Sequence, residues 1–278
     1  MFKNYEVDTK DEMYKSIENK HQLFLGEFKR YAENQTIEAG NAKNGKSAKA
    51  SSYYRYLIRL VVGMERQLDE IVDNLRDEHV AEKLEQISSN PEFIEFNRKK
   101  KYFYSATISC YKSFLKHLAL LQEEKLDSEI NLISDGIEGE MNNTEVIQNS
   151  RDKKEKILSN NIKVYPRSAY EVRLSKEISK WKCEIDPEHE TFTNLSNNKP
   201  YMEAHHLIPM SKQDDFVKSI DFAENIICLC PNCHRKIHYA IPEIKGQMIF
   251  ELFEKRKEKY PLYGIGIDLG KLYKYYSI

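Results

Sequence analysis

The side chains best suited to chemistry crowd into one stretch, Tyr201 to Tyr239, which reads YMEAHHLIPMSKQDDFVKSIDFAENIICLCPNCHRKIHY. It carries four of the chain's eight histidines and three of its five cysteines. In order they are a His-His pair (His205, His206), then Asn225, a C-x2-C (Cys230, Cys233), and last His234 and His238. Metals select imidazole and thiolate by geometry, so this clustering is a chemical signal in its own right. His234 and His238 are four residues apart and share one face of a helix, where both can reach a single ion.

The elements that must position these residues are legible around them. Lys199-Pro200 ends a polar turn, Tyr201 to His205 reads as a short strand, and Pro209 stops it soon after His206. A polar loop from Ser211 to Glu224 leads to an apolar strand, Asn225 to Leu229, and Pro231-Asn232 opens the helix that carries His234 and His238. Upstream, a helix over Ser168 to Trp181 follows Pro166 and delivers the chain to Cys183.

The first half is helical by its apolar periodicity. One helix is expected from Tyr5 to about Gln35, a second after a cap at Ser51 or Ser52 with a stripe from Tyr53 through Leu68, Ile71 and Leu75, and a short third over Val80 to Ile87. Asn90-Pro91 opens another, and Phe103 to Leu121 is a long apolar one. Gly40 to Ala50 has no apolar period and reads as a loop. The tyrosines and lysines of KASSYYRYLIRLV and KYFYSATISCYKSFLKHL fit either a DNA-gripping surface or ordinary helix packing. From Glu129 to Asn161 the aromatics vanish and the period is lost, as in a linker.

At 278 residues, 40% of them hydrophobic, the chain is long enough for one large domain or two modest ones. No apolar run approaches the roughly 20 residues that span a bilayer, and the N-terminal MFKNYEVDTKDEMYK lacks the apolar core of a signal peptide. A cytoplasmic protein without a membrane partner is expected. Five cysteines, an odd number, then argue for metal ligands and buried thiols over disulfides. A net charge of -1 does not advertise a nucleic-acid partner, although basic residues gather at Lys43, Lys46 and Lys49, at Arg98 to Lys101, and at Arg235 and Lys236.

The spacing H-x18-N-x8-H-x3-H, from His206 through Asn225 and His234 to His238, resembles that of the HNH, or ββα-metal, endonucleases over roughly residues 180–240. The expected protein is α+β, mainly α: periodicity and composition give a helical domain over residues 1–130, a candidate for binding DNA or a partner, and a linker over 131–160, and the resemblance implies an HNH (His-Me finger) nuclease domain over 161–278. The resemblance makes His206 the general base, Asn225 the brace of the loop behind it, and His205, His234 and His238 the ligands of one catalytic divalent ion, Mg, Mn, Ni or Zn. Glu203, one strand period before His205, orients a ligand or faces solvent. The resemblance also implies a structural zinc on Cys230 and Cys233 with an earlier cysteine pair. Here that pair is Cys183 and Asp186, so His189 is the best fourth ligand, with Asp186 and Cys228 as alternatives. Lys212, Arg235 and Lys236 are candidates for phosphate contact. The expected activity is hydrolysis of DNA in restriction or phage defence, with a homodimer left open. The rival is a zinc-containing nucleic-acid-binding or interaction module without catalysis.

Overall fold

The computed structural model describes residues 2–40, 47–137, 148–159, 162–276 and 278. Lys43, Lys46 and residues 138–147 of the expected linker lie outside the described residues. The chain divides into two compact units, Met1–Leu118 and Ala119–Ile278. The division falls inside a helix and earlier than the sequence places the end of the helical domain.

In the first unit, α1 (Glu12–Lys20) starts where the Asp11 carboxylate accepts from the Met13 and Tyr14 amides. The single helix expected over Tyr5 to Gln35 is interrupted at His21, whose φ of -112° leaves helical geometry and whose ring sits 3.2 Å from the Val72 carbonyl. α2 (Gln22–Glu38) follows. α3 (Ala48–Leu68) begins before the expected caps, because Ser47 accepts from the Ala50 amide. It ends at Asp69 in the left-handed region, which takes Ile71 and Leu75 off the helical stripe. Gly63 of α3 lies so close to Tyr5 that a Cβ there would stand 2.3 Å from the tyrosine ring. α4 (Glu78–Ser88) and α5 (Pro91–Lys99, capped by Asn90) complete the local helices.

α6 (Phe103–Asp135) is expected to stop at Leu121 and instead runs on for several turns. Its early tyrosines are packing residues: Tyr104 and Tyr111 are buried, and their hydroxyls donate to the Tyr5 and Leu75 carbonyls at 2.5 and 2.6 Å. From Ala119 onward the helix belongs to the second unit.

In that unit a small hairpin, β1 (Ile157–Ser159) and β2 (Ile162–Val164), precedes α7 (Ala169–Ile178), which Ser168 caps. β3 (Glu203–His206) then pairs antiparallel with β4 (Ile226–Leu229), His205 opposite Ile227 and His206 opposite Ile226. α8 (Pro231–Tyr239) leaves directly from β4. α9 (Pro242–Glu254) and α10 (Leu269–Tyr275) add Ile249, Leu252 and Leu272 to the apolar core built around Leu207, Ile227 and Ile237. Asn131 of α6 covers the open edge of β3, accepting from the Ala204 amide at 2.9 Å and donating to its carbonyl at 3.2 Å. Among the described residues no helix is long and apolar enough to cross a membrane.

Candidate functional site

Two groups of donor atoms lie in the second unit, and α8 contributes to both. Cys183, His189, Cys230 and Cys233 each offer one atom, all within 4.8 Å of one another. Cys230 caps α8 and Cys233 sits in its first turn, so the helix start fixes both sulfurs on one side. His189 brings Nδ1 to 3.5 Å from each of these sulfurs. That separation is the edge of a tetrahedron with bonds of about 2.3 Å to sulfur and about 2.0 Å to nitrogen, the dimensions of a zinc site. Asp186 stands behind the imidazole, 3.5 Å from its Nε2, and Cys228 is buried within β4. Among the described residues it is His189, and not Asp186 or Cys228, that is grouped with the three cysteines. A hydrogen bond from Cys233 pulls the Cys183 thiol down to about 4 against its burial, and the same contact pushes Cys233 upward. Three cysteine sulfurs and an imidazole make a donor set for a soft cation.

The second group is Asp127, His205, His234 and His238, all buried, again with one atom each within 4.8 Å of the others. Hydrogen bonds fix which ring nitrogen is free to ligate. The Tyr276 hydroxyl donates to the Leu207 carbonyl at 2.9 Å and so accepts from His205 Nε2 at 2.8 Å, which leaves the lone pair on His205 Nδ1. His234 donates Nδ1–H to Glu203 at 2.6 Å, leaving Nε2 facing His238 Nε2 at 3.2 Å. Asp127 Oδ2 lies 3.4 Å from His205 Nδ1. Both separations are close to the roughly 3.4 Å edge of a tetrahedral site with bonds of about 2.0–2.1 Å. His205 Nδ1 is buried without any hydrogen bond, a cost that a cation between it and Asp127 Oδ2 would remove. Burial and the neighbouring His205 and His234 push His238 well below the ordinary imidazole value, toward the neutral form that a metal needs.

His206, next along β3, is held at the edge of this group. Its Nε2 donates to Asp221 at 3.1 Å, and its Nδ1 lies 3.8 Å from Asp127 Oδ1 with no hydrogen bond. Burial alone lowers an imidazole's affinity for protons, but the two carboxylates outweigh it and raise His206 to about 9. Behind it, Asn225 ties both ends of the loop that joins β3 to β4. Its side chain accepts from the Ile208 amide and the Tyr260 hydroxyl at 2.9 and 3.2 Å, and donates to the Ile220 and Ile208 carbonyls at 2.8 and 3.2 Å. Glu203 faces His234 and not solvent.

The basic candidates are outside both groups. Arg235 and Lys236 are exposed on the outer face of α8, with Arg235 donating to Glu124 of α6 at 2.9 Å, and Lys212 is half-buried in the loop. The residue that sequence reasoning misses is Asp127, together with Asp221. A signal for Asp127 exists: Glu123, Asp127, Asn131 and Asp135 recur at every fourth position, a polar stripe on one helix face. Each meets a partner in the unit. Glu123 pairs with Arg167, and Asp135 with the fully buried Lys176 at 2.7 Å.

The hairpin with its paired histidines thus feeds a helix with two more, beside the cysteine cluster. Residues 187–240 match the family model described as HNH endonuclease. Over 78 residues the chain is 37% identical to the type IV methyl-directed restriction enzyme EcoKMcrA of Escherichia coli (strain K12). That match covers 28% of this chain and 26% of the relative, so the chain spans about a quarter of the protein that it resembles. No solved structure matches.

Proposed function

We propose that the chain is a metal-dependent endonuclease that hydrolyses DNA phosphodiester bonds, working in restriction. The observation that carries this reading is the convergence of the free nitrogens of His205, His234 and His238 beside a differently oriented imidazole, His206. A zinc module needs only the thiolate group. A second donor set, three imidazoles with the Asp127 carboxylate, beside a neighbouring acid–base side chain has no use in such a module.

His205, His234 and His238 hold the divalent ion, with Tyr276 and Glu203 fixing the rings through their outer nitrogens. When bound, that ion supplies Lewis-acid stabilisation of the negative charge that develops on phosphate and leaving oxygen. His206 is the general base in its neutral form, which a divalent ion beside Asp127 would favour by offsetting the carboxylate charge that raises it. Asp221 anchors Nε2 and fixes the tautomer, so Nδ1 takes the proton from a water whose oxygen bonds to phosphorus as the bond to the 3′ oxygen breaks. A 5′ phosphate and a 3′ hydroxyl result. Asn225 keeps the loop behind the base in register, and Lys212, Arg235 and Lys236 contact flanking phosphates. The Cys183, His189, Cys230 and Cys233 set holds a structural zinc. The restriction setting is taken from the restriction enzyme matched over the same domain.

One observation favours the rival binding module: all four imidazoles of the site are buried. Plasmid incubated with the full chain and Mg, Mn, Ni or Zn, with and without chelator, decides between them. Cleavage that needs the ion and falls by about 10²–10⁴-fold in His206→Ala is the expected result. DNA binding without cleavage under every ion removes the enzyme.

A further inference from the structure

We propose that Asp127 holds the place of the scissile phosphate: its carboxylate closes the His205, His234 and His238 donor set as a fourth ligand and covers His206, so DNA enters only when Asp127 is displaced. The account of DNA rests on the nuclease reading above; the claim that Asp127 is a ligand stands without it.

The two oxygens of Asp127 divide between the two functions of the site. Oδ2 faces His205 Nδ1 on the ion side at 3.4 Å, and Oδ1 faces His206 Nδ1 on the base side at 3.8 Å. A scissile phosphate must present oxygen to the same two places, one to the ion and one beside the base. Carboxylate and phosphate oxygens share this ligand chemistry, and both pair with guanidinium groups. The acidic face of α6 continues the likeness. Glu124 accepts from Arg235 at 2.9 Å and from the Tyr239 hydroxyl at 2.5 Å, both on α8.

A purely structural role for Asp127 accounts for less. Arg167 is its buried cationic neighbour, yet Arg167 already pairs with Glu123, and its Nε lies 3.2 Å from Asp127 Oδ1 without a directed hydrogen bond. Asp127 Oδ1, His205 Nδ1 and His206 Nδ1 are all buried and make no hydrogen bond, Oδ1 having only its ion pair with Arg167 Nε, and each imidazole nitrogen lies within 3.8 Å of an Asp127 oxygen. Polar atoms are rarely left this way unless something unites them. Three imidazoles and a carboxylate also complete four-coordination, whereas sites that act on substrate keep one position open. The site as folded is full.

The test uses the full chain with zinc kept on the cysteine group and Co2+ added to the imidazole group, where its visible absorption reports the number of ligands. In the wild type, inorganic phosphate at millimolar concentration leaves the visible bands unchanged, because no coordination position is open. A wild-type spectrum that shifts with phosphate overturns the proposal, and this arm needs no variant. Asp127→Asn keeps the side chain's size and removes the anionic donor. It is expected to weaken Co2+ binding at the imidazole site by about 100-fold or more, and to make the spectrum phosphate-sensitive. Glu124→Gln, on the same helix, leaves Co2+ affinity unchanged. Equal affinity and spectra for wild type and Asp127→Asn overturn the ligand assignment.

Cleavage is measured separately at saturating metal, where Asp127→Asn is expected to be several-fold faster than wild type. A slower variant that still binds the ion overturns displacement and makes Asp127 a required group. If neither protein cleaves under any ion, the nuclease reading fails, while the spectra still decide whether Asp127 is a ligand.

Discussion

The thiolate group and the imidazole group share α8, Cys233 and His234 being consecutive residues, yet they recruit their other donors from different distances. The thiolate group is local: the segment from Cys183 to His189 meets the start of the helix. The imidazole group draws on β3 for His205 and on α6, outside residues 187–240, for Asp127. One group knits neighbouring segments together. The other is complete only when a separate helix lies against the hairpin, so its state depends on where that helix is.

The contrast breaks most visibly when the thiolate group is opened. Cys233→Ser, or zinc removal with a strong chelator, is expected to unfold the hairpin and α8, because metal binding of about 10–16 kcal/mol in such sites is folding free energy. Zinc content by elemental analysis falls to zero, and the melting transition of the second unit is lost while that of the first remains. His238→Ala is the counterpart in the other group. His238 has no carboxylate partner, its Nδ1 makes no hydrogen bond, and its removal strands no charge. Co2+ binding at the imidazole site should drop by about 100-fold with thermal melting little changed. If His238→Ala melts like Cys233→Ser, both groups are structural and the distinction collapses.

Asn225→Ala tests a residue that belongs to neither group but holds the loop between them. It leaves the buried Ile208 and Ile220 backbone groups without their partner, and buried groups stranded in this way cost about 1–3 kcal/mol each. A loss of about 3 kcal/mol in urea unfolding is expected. A loss below about 1 kcal/mol would show that water replaces the side chain and that the loop is not braced by it.

What the sequence exposed and what it hid follow from the range over which each feature is determined. The hairpin, the helix after Pro231 and the convergence of His205, His234 and His238 are set by residues close together in the chain, where strand and helix periods place side chains directly. The fourth donor of the thiolate group was ambiguous because Cys228, Asp186 and His189 are all near enough in sequence. The strand resolves it, since pairing with Ala204 buries Cys228 in the sheet. The sequence ends α6 at Leu121 because beyond it the apolar stripe gives way to charge, which usually means solvent. Here Glu123, Asp127, Asn131 and Asp135 face buried cations, imidazoles and a strand edge instead. A polar stripe at helical spacing is as periodic as an apolar one, and only its long-range partners tell which it is. Tyr104 and Tyr111 fall the other way, polar-tipped residues whose rings turned out to be core.

The smallest expected effect concerns the surface of α8. The Arg235 side chain is 66% exposed, and its partner Glu124 is 13% exposed. An exposed ion pair contributes about 0–1 kcal/mol, so Arg235→Ala should barely move the melting temperature. Its consequence lies in DNA binding. If Arg235 meets a phosphate once Glu124 has given way, its loss lowers the steepness with which affinity falls with salt by about one unit in the log–log plot. Lys236 is also exposed and lies on the same helix, but among the described residues no hydrogen bond or ion pair joins its side chain to α6. Lys236→Ala therefore calibrates the effect of a solvated charge on the same slope. Titrations of a short duplex across salt, with both variants and with chelator present to prevent cleavage, separate the two. An Arg235→Ala slope equal to that of the wild type assigns Arg235 to holding α6 in place and removes it from the phosphate-binding surface.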